Sequence, residues 1–343
     1  VRDSSISAQL EASENSNVII EKSNVNAPSG DEYVLEIEKN SHLETEETNL
    51  NGKISMRLGS SWDEDDSTIN CIGSYSCINL KSSYMEMDGT TVNGTLSISN
   101  NSSTSLWNTT VNGDSNDRTI KVTHNSNIQI DGTSSIIGHE GVNNTIWLWN
   151  NSSADISGAS TITAPTGVVA LNLQQNSGVI LNGNPIITSV DHNSITLDTN
   201  SSLEINDNAN INRTDSNADV YVDATSSVNI NSNSTWDGEI SCGAITSHVS
   251  TGGGNTNINI SNTCNGTGYS PIFFTYTDFP DANCGKMGLQ DLNESQCSNF
   301  QPNQGTVCDG GQLPGCWYDS TNGYWLYNNC GDTTSYLNTI ITA

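Results

Sequence analysis

The sequence predicts an all-β fold, a parallel β-helix (a solenoid) with about 25 residues per turn and three short strands in each turn. Short runs in which apolar and polar residues alternate are typical of strands that bury one face. These runs recur at a nearly constant spacing, which indicates a repeat architecture. No helical periodicity lies between them, so we expect each turn to consist of strands and corners only.

The repeat is clearest between residues 120 and 232. Its anchor residues are 26, 25, 24 and 25 positions apart and are Ile130, Ile156, Leu181, Ile205 and Ile230. Each copy has an alternating strand, an Asn-Ser corner, a second strand, an Asp/Asn-Gly-like corner and a third strand. The third strands are centred on Val111, Ile136, Ile162, Ile186 and Ile211. A single turn cannot bury its inward side chains, so the stacked turns are expected to share one core.

Looser copies of the pattern begin at Leu35, Ile78 and Leu96, and residues 257–260 resemble a last copy. The Asn-Ser corner recurs with its asparagines at Asn101, Asn125, Asn151, Asn176 and Asn200. Asparagine tolerates the left-handed backbone conformation and forms local hydrogen bonds. We therefore expect successive corners to stack into a ladder.

Three segments are predicted along the chain. Residues 1–17 are polar and are interpreted as an N-terminal arm or cap, and the β-helix is predicted to span residues 18–268. The alternation ends near Tyr269, after which cysteine, proline and tryptophan become frequent. Residues 269–343 are therefore predicted to form a small disulfide-rich C-terminal module.

The charge balance excludes some classes of protein. Ten Lys and Arg stand against 38 Asp and Glu, giving a net charge of −28. A nucleic-acid binder needs Lys and Arg to neutralise phosphates, so we expect no nucleic-acid partner. No apolar run reaches the roughly 20 residues that span a bilayer, so no direct membrane span is expected. The chain begins at Val1 without a charged-then-apolar leader and is interpreted as a mature or excised segment.

Cysteines and sequons indicate an extracellular or cell-surface protein. We expect Cys71 to pair with Cys77, and Cys242 with Cys264. Five cysteines remain, so one is free, or pairs with another subunit or with the N-terminal part; they are Cys284, Cys297, Cys308, Cys316 and Cys330. Of 13 Asn-x-Ser/Thr sequons, those expected in loops or third-strand flanks are the glycosylation candidates Asn93, Asn108, Asn143, Asn212, Asn233, Asn265 and Asn293.

The repeat length, the corner residues and the alternating core over residues 18–262 resemble the right-handed parallel β-helix superfamily, which is pectate-lyase-like. The segment Cys71-Ile-Gly-Ser-Tyr-Ser-Cys77 also resembles repeats of secreted β-helical surface proteins. The superfamily's enzymes imply grouped carboxylates with a His, Arg or Lys on one outward face. No such motif is visible here, and no paired carboxylates are expected on adjacent turns of the regular region. We therefore predict no enzymatic activity.

Two groups of residues are candidate binding sites. Asp63, Glu64, Asp65 and Asp66 form the densest acidic run, which is read as a solvated loop or, alternatively, as a Ca²⁺ site. No other cofactor is expected. Trp147 and Trp149 alternate with inward residues, and Tyr221 falls on the same outward row three turns later, roughly 14 Å away. Exposed aromatics of this kind mark a contact surface for a sugar or a protein, unless a loop of the chain covers them.

These observations favour a structural subunit of an extracellular filament or surface appendage. Parallel coiled strands leave open main-chain edges at the ends of the stack, and such edges pair with further strands. The expected partner is the chain itself, assembled head-to-tail through its terminal segments. The alternative is an adhesin or carbohydrate-binding spike that uses Trp147, Trp149 and Tyr221. A polysaccharide-degrading enzyme ranks third.

Overall fold

The computed structural model describes residues 1–28, 33–71, 76–115, 117–141, 144–213, 218–231, 238–243, 247–251, 259–260, 286–289, 315–319 and 324–328. This part of the chain contains strands and corners and no helix. Its strands form three long parallel sheets, of 12, 11 and 10 strands, and one antiparallel sheet of three. The chain is therefore a parallel β-helix with three strands per turn, as predicted.

We number the three parallel sheets after the order of their strands in the repeat. The first sheet contains β2 (Leu10–Ala12), β5 (Tyr33–Ile37), β8 (Lys53–Arg57), β11 (Ile78–Lys81), β14 (Leu96–Ser99), β17 (Ile120–Thr123), β20 (Asn144–Trp149), β23 (Val169–Gln174), β26 (Ile195–Asp198), β29 (Val220–Val222), β31 (Glu239–Cys242) and β33 (Asn259–Ile260). The second sheet contains β3 (Asn17–Glu21), β6 (His42–Glu46), β9 (Ser61–Asp65), β12 (Tyr84–Asp88), β15 (Ser103–Trp107), β18 (Asn127–Asp131), β21 (Ser153–Ile156), β24 (Gly178–Leu181), β27 (Ser202–Ile205), β30 (Ser227–Ile230) and β32 (His248–Thr251). The third sheet contains β1 (Ser5–Ser7), β4 (Asn24–Asn26), β7 (Asn49–Asn51), β10 (Thr68–Asn70), β13 (Thr91–Asn93), β16 (Thr110–Asn112), β19 (Ser135–Ile137), β22 (Thr161–Ala164), β25 (Ile186–Ser189) and β28 (Asn210–Arg213).

The register of the strands confirms the predicted repeat. The five anchor residues pair with one another in successive turns of the second sheet, from Ile130 to Ile230. One third-strand residue was misplaced: Ile187, and not Ile186, takes the inward position between Ile162 and Ile211. From Ile130 to Ile205 the corner after each anchor has the same length, so the inward residue lies six positions beyond its anchor. Residues 259–260 form the last strand of the first sheet, as the loose copy at 257–260 predicts.

The stack begins earlier and is more complete than the sequence suggests. β1 and β2 belong to the third and first sheets, so residues 1–17 are not a separate arm and the predicted start at residue 18 is wrong. A further turn, from β8 to β10, lies between the copies recognised at Leu35 and Ile78. It was missed because Trp62 and Glu64 take two inward positions where other turns mostly have aliphatic residues.

Small polar residues line the inner side of the corners. At the corner between the first and second strands, a buried serine recurs from turn to turn: Ser41, Ser60, Ser83, Ser102, Ser126, Ser152, Ser177, Ser201 and Ser226. Several of these hydroxyls accept a hydrogen bond from the main-chain N–H of the preceding turn; for example, the Ser102 N–H donates to Ser126 Oγ at 3.2 Å. The hydroxyl thus satisfies a buried main-chain donor where the ladder of the sheet is interrupted. This hydrogen bond explains why serine follows asparagine at this corner of the repeat.

The asparagines of the same corner stack as predicted. Asn125, Asn151 and Asn176 all have left-handed backbone conformations, with φ near +60°. Asn151 Nδ2 donates to Asn125 Oδ1 at 3.2 Å, and Asn176 Nδ2 donates to Asn151 Oδ1 at 3.1 Å. The corner ladder is therefore confirmed for these three turns.

The remaining strands belong to the C-terminal part of the chain. β34 (Lys286–Leu289), β35 (Gly315–Asp319) and β36 (Tyr324–Asn328) pair with one another in antiparallel fashion, in the order β34-β36-β35. In the described ranges, no helix is long and apolar enough to cross a membrane.

Candidate interaction surfaces

Trp147 and Trp149 point outward from β20, as their alternation predicts, but both are half-buried. The two indoles stack on each other with ring centroids 5.7 Å apart and an interplanar angle of 17°. Two residues apart on a strand, the rings stand side by side from the sheet, and each covers one face of the other. They do not form a flat, open platform.

Neighbouring side chains cover more of the pair. The Arg118 guanidinium lies 4.2 Å from the Trp147 ring centroid, and Lys121 Nζ lies 5.4 Å from it. His124 meets Trp149 edge-on at 5.0 Å. We call Arg118, Lys121, His124, Trp147 and Trp149 the aromatic cluster. Its two cations, Arg118 and Lys121, lie over the Trp147 ring, and a cation over the negative face of an indole stabilises the cluster.

Tyr221 lies on the predicted outward row. The register runs from Trp147 through Asn172 and Thr196 to Tyr221, three turns later. Tyr221 is half-buried, and the two intervening side chains are polar. The predicted row is confirmed, but no continuous aromatic surface joins Tyr221 to the two tryptophans.

Asp198 and Asp223 correct one prediction, because they lie on adjacent turns and interact. Burial, and then the contact with Asp223, raise the pKa of Asp198. Asp223 lies at a corner, where it accepts hydrogen bonds from the main-chain N–H groups of Thr199 and Thr225 at 2.8 and 3.0 Å. Although burial raises the pKa of Asp223, the hydrogen bonds from Ser226, Thr199 and Thr225 outweigh it and lower the pKa. These bonds give Asp223 a structural role in closing the corner.

The second sheet carries a surface that the sequence analysis missed. Outward positions of β6, β9 and β12 form two adjacent rows of three carboxylates, which we call the acidic face: Glu44, Asp63, Glu86, Glu46, Asp65 and Asp88. Among ion pairs between described residues, none joins these six side chains to Lys or Arg. Burial, followed by repulsion from Asp66, Asp88, Asp63 and Glu47, raises the pKa of Asp65. The most exposed aromatic side chains described, Tyr84 and Trp107, also lie on this sheet.

The acidic run, interpreted as a solvated loop or alternatively as a Ca²⁺ site, lies mostly in a strand: only Asp66 lies beyond β9, at the corner. In β9, Asp63 and Asp65 point outward, whereas Glu64 points into the core and is 1 % exposed. The side chains therefore do not converge on one point. In the part of the chain that the structure describes, no group of three or more His, Cys, Asp and Glu side chains is arranged to hold a metal ion.

Glu64 lies in an apolar interior. It stands in the inward row of the second sheet between Thr45 and Met87, and neither carboxyl oxygen has a hydrogen-bond partner. The adjacent Trp62 donates its Nε1–H to Thr45 Oγ1 at 2.8 Å and so does not serve the carboxyl group. Burial raises the pKa of Glu64 to about 8, although nearby Ser67 opposes this in part. The group is therefore mostly protonated at neutral pH.

A shallow groove of about 490 Å³ crosses the second sheet further along the stack. Gly178 has no side chain to fill it, and Ile180 lies between Asp155 and Glu204. Both carboxylates accept hydrogen bonds from asparagines, Asp155 from Asn182 at 2.9 Å and Glu204 from Asn231 at 3.3 Å. The groove is open, and both of these carboxylates are engaged in hydrogen bonds within the stack.

Three of the candidate glycosylation sites are described. Asn93 belongs to a second asparagine ladder, on the third sheet. Its Nδ2 donates to Asn70 at 2.7 Å and its Oδ1 accepts from Asn112 at 2.8 Å. Asn108 is exposed and donates to Asp88 at 3.3 Å. Asn212 is exposed and donates to Asn210 at 2.5 Å. The other four lie outside the described residues: Asn143, Asn233, Asn265 and Asn293.

The predicted disulfide between Cys71 and Cys77 is present, with Cα atoms 5.3 Å apart. Cys242 is also disulfide-bonded, and its predicted partner, Cys264, lies outside the described residues. Cys316 lies on β35, and the remaining four cysteines, Cys284, Cys297, Cys308 and Cys330, lie outside.

Comparison of the chain with protein-family models, with curated proteins and with solved structures found no match. The fold is thus established by the structure itself, while the resemblance to the pectate-lyase-like superfamily stays a prediction.

Proposed function

We propose that this protein is a structural subunit of an extracellular filament or surface appendage that assembles head-to-tail. The observation that carries the proposal is the long stack of parallel turns, with edge strands at its N-terminal end. Among the described residues, β1 and β2 each pair with another strand on one side only. Their free main-chain groups suit β-strand addition by another copy.

The edge of β1 can be tested without disturbing its pairing with β4. The Asn24 N–H donates to the Ser4 carbonyl at 2.8 Å, so the main-chain groups of Ser4 and Ile6 face β4. Because these groups alternate along a parallel strand, those of Ser5 and Ser7 face away from β4. Proline at Ser5 and Ser7 removes two outward donors and no ladder bond.

The experiment is electron microscopy of the full chain in physiological salt. We expect fibres from the wild-type protein and from the control Ser5→Ala/Ser7→Ala, and short rods from Ser5→Pro/Ser7→Pro. Circular dichroism checks that the proline variant keeps its β content. Dispersed wild-type rods at every protein concentration would reject the proposal.

A second candidate is an adhesin or carbohydrate-binding spike. The aromatic cluster supports it, because the exposed parts of the two indoles offer apolar contact to a sugar, and Arg118 and Lys121 beside them carry hydrogen-bond donors. Trp147→Ala/Trp149→Ala should then abolish binding in a glycan screen, whereas the control Trp107→Ala, on the second sheet, should not. Equal binding by both variants contradicts this role.

The location, partners and chemistry of the protein are part of the same proposal. The disulfide at Cys71–Cys77 supports an extracellular environment, since such bonds persist where thiols are oxidised. The expected partners are further copies of the chain and, for the second candidate, glycans. The absence of an enzymatic activity and of a Ca²⁺ requirement stays a prediction, and a polysaccharide-degrading enzyme stays the third alternative.

A further inference from the structure

The outer side of the third sheet is uncharged over its whole described length. Each of its ten strands turns two side chains outward, and all twenty are Ser, Thr, Asn or Ile. They form two rows parallel to the axis, which we call the neutral face: Ser5, Asn24, Asn49, Thr68, Thr91, Thr110, Ser135, Thr161, Ile186 and Asn210 in one row, and Ser7, Asn26, Asn51, Asn70, Asn93, Asn112, Ile137, Thr163, Thr188 and Asn212 in the other.

The charge of the molecule makes this face distinctive. With a net charge of −28, two copies repel each other wherever their carboxylates meet. The acidic face on the second sheet opposes such contact most strongly. Like charges placed opposite each other cost binding free energy. On the neutral face, two copies can meet without such pairs.

The face is also regular and partly apolar. In its second row, Asn70 Nδ2 donates to Asn51 Oδ1 at 3.0 Å, Asn93 donates to Asn70 and Asn112 donates to Asn93. This ladder fixes the amides in one repeated orientation. Ile137 and Ile186, 41 % and 40 % exposed, stand further along. Flat sheets with amide ladders and apolar side chains pack against copies of themselves, as in steric zippers.

We propose that the neutral face is a lateral interface on which a second copy of this chain packs side by side. The proposal deepens the filament function and rests on it, because a single contact of this kind is small. Nine strand spacings give a length of about 43 Å, and three residues give a width of about 10 Å. The buried area is therefore about 430 Å² per copy, roughly half of a typical specific interface. Filaments add such contacts in series, so association strengthens with filament length.

The test uses two matched double variants of the full chain. Ile137→Glu/Ile186→Glu introduces two carboxylates on the neutral face. Ile19→Glu/Ile180→Glu makes the same change at two isoleucines that are 40 % and 39 % exposed on the second sheet. Both doubles replace exposed residues, so we expect both to fold. Small-angle X-ray scattering reports rod length and cross-section separately, and electron microscopy shows whether filaments pair.

We expect the cross-section to increase with protein concentration for the wild type and the second-sheet variant. The neutral-face variant should need at least about tenfold higher concentration, since it places like charges opposite each other. Added salt should favour pairing because it screens the net charge. Thickening that is lost in salt would instead indicate contact between oppositely charged faces, and would overturn the proposal.

Failure of each proposal gives its own result. Rods that lengthen without thickening contradict the lateral interface but keep the filament. Rods that thicken without lengthening contradict the filament only. Wild-type rods that stay single, yet bind a crystalline polysaccharide through the neutral face, would show that the face serves another partner. Glycans at Asn93, detected by mass spectrometry of the native protein, would also exclude the interface, because they would stand on the face.

Discussion

Replacing Glu64 by glutamine should stabilise this protein at neutral pH and flatten the pH dependence of its stability. The carboxyl group is 1 % exposed, has no hydrogen-bond partner, and has a pKa raised by burial to about 8, against an ordinary value of 4.5. The inward positions of neighbouring strands offer it no charged group: Thr45 and Met87 flank it in its own sheet, Ile54 and Met56 point inward from β8, and Ile69 from β10. Asp65 and Asp66 follow it outside the core.

The raised pKa of Glu64 determines how the stability of the protein changes with pH. The folded state holds the proton more tightly than the unfolded state, so stability is highest below pH 4.5 and is lost as the pH rises to about 8. At 1.36 kcal/mol per pH unit, the loss is about 3 kcal/mol at pH 7 and approaches ~5 kcal/mol above pH 8. Glutamine does not ionise and has nearly the same shape. Its gain at pH 7 is therefore about 3 kcal/mol, or roughly 5 °C in Tm for a stack of this size.

The assay is thermal unfolding followed by circular dichroism from pH 4 to pH 9. We expect the Tm of Glu64→Gln to match the wild type near pH 4 and to exceed it increasingly up to pH 8. The control Glu44→Gln removes the same charge from the outward row of β6, where the carboxylate is exposed, and should keep the wild-type profile. If the profiles of the wild type and Glu64→Gln run parallel across this range, Glu64 is solvated and the reasoning is refuted.

Three further predictions concern the ladders and the disulfide, and each is measured by urea denaturation. Replacing Cys71 and Cys77 by alanine should cost about 2 kcal/mol, because the bond closes a short loop in the unfolded chain; an unchanged midpoint would contradict this. Gly94→Ala should cost at least ~1 kcal/mol, since Gly94 has φ +148° and a Cβ there would lie 2.7 Å from the Cβ of Cys77. Asn151→Gly should cost less than Asn151→Ala, because both lose the amide bonds of the ladder and only glycine adopts the left-handed corner without strain; the opposite order would contradict this backbone argument.

Much of the fold could be predicted because its signal is local. The inward anchors, the positive-φ corners and the repeat spacing follow from a period of two within strands and a fixed length of turn. The turn from β8 to β10 could not be found this way, because its core positions hold Trp62 and Glu64. Its acidic residues were therefore interpreted as a loop. A search for conserved spacing, rather than for apolar character, would have placed Glu64 inside the core, five positions before the inward Ile69, which is the spacing of the next two turns.

The candidate surfaces were less predictable, because they depend on which residues neighbouring turns bring together. Alternation places Trp147 and Trp149 outward but does not show that Arg118, from a preceding corner, lies over Trp147. Predicting the acidic face likewise requires knowing the register of three successive turns. Recognising the neutral face requires the register of all ten strands of the third sheet, because a single strand without charged residues is not unusual.

The asparagines explain how a solenoid with so few aromatic core residues is held together. Asparagine ladders occur at three different positions of the turn, and where one ladder ends along the axis another begins. On the third sheet, Asn51, Asn70, Asn93 and Asn112 bond in succession. The first corner takes over at Asn125, Asn151 and Asn176, and the second corner continues at Asn182, Asn206 and Asn231. Since an amide nitrogen that donates within a ladder is not free to carry a glycan, the many sequons of this chain are in part a by-product of its architecture. Glycans should therefore be absent from Asn93 and Asn151 even where the exposed Asn108 is modified, and glycopeptide mapping of the native protein distinguishes these positions.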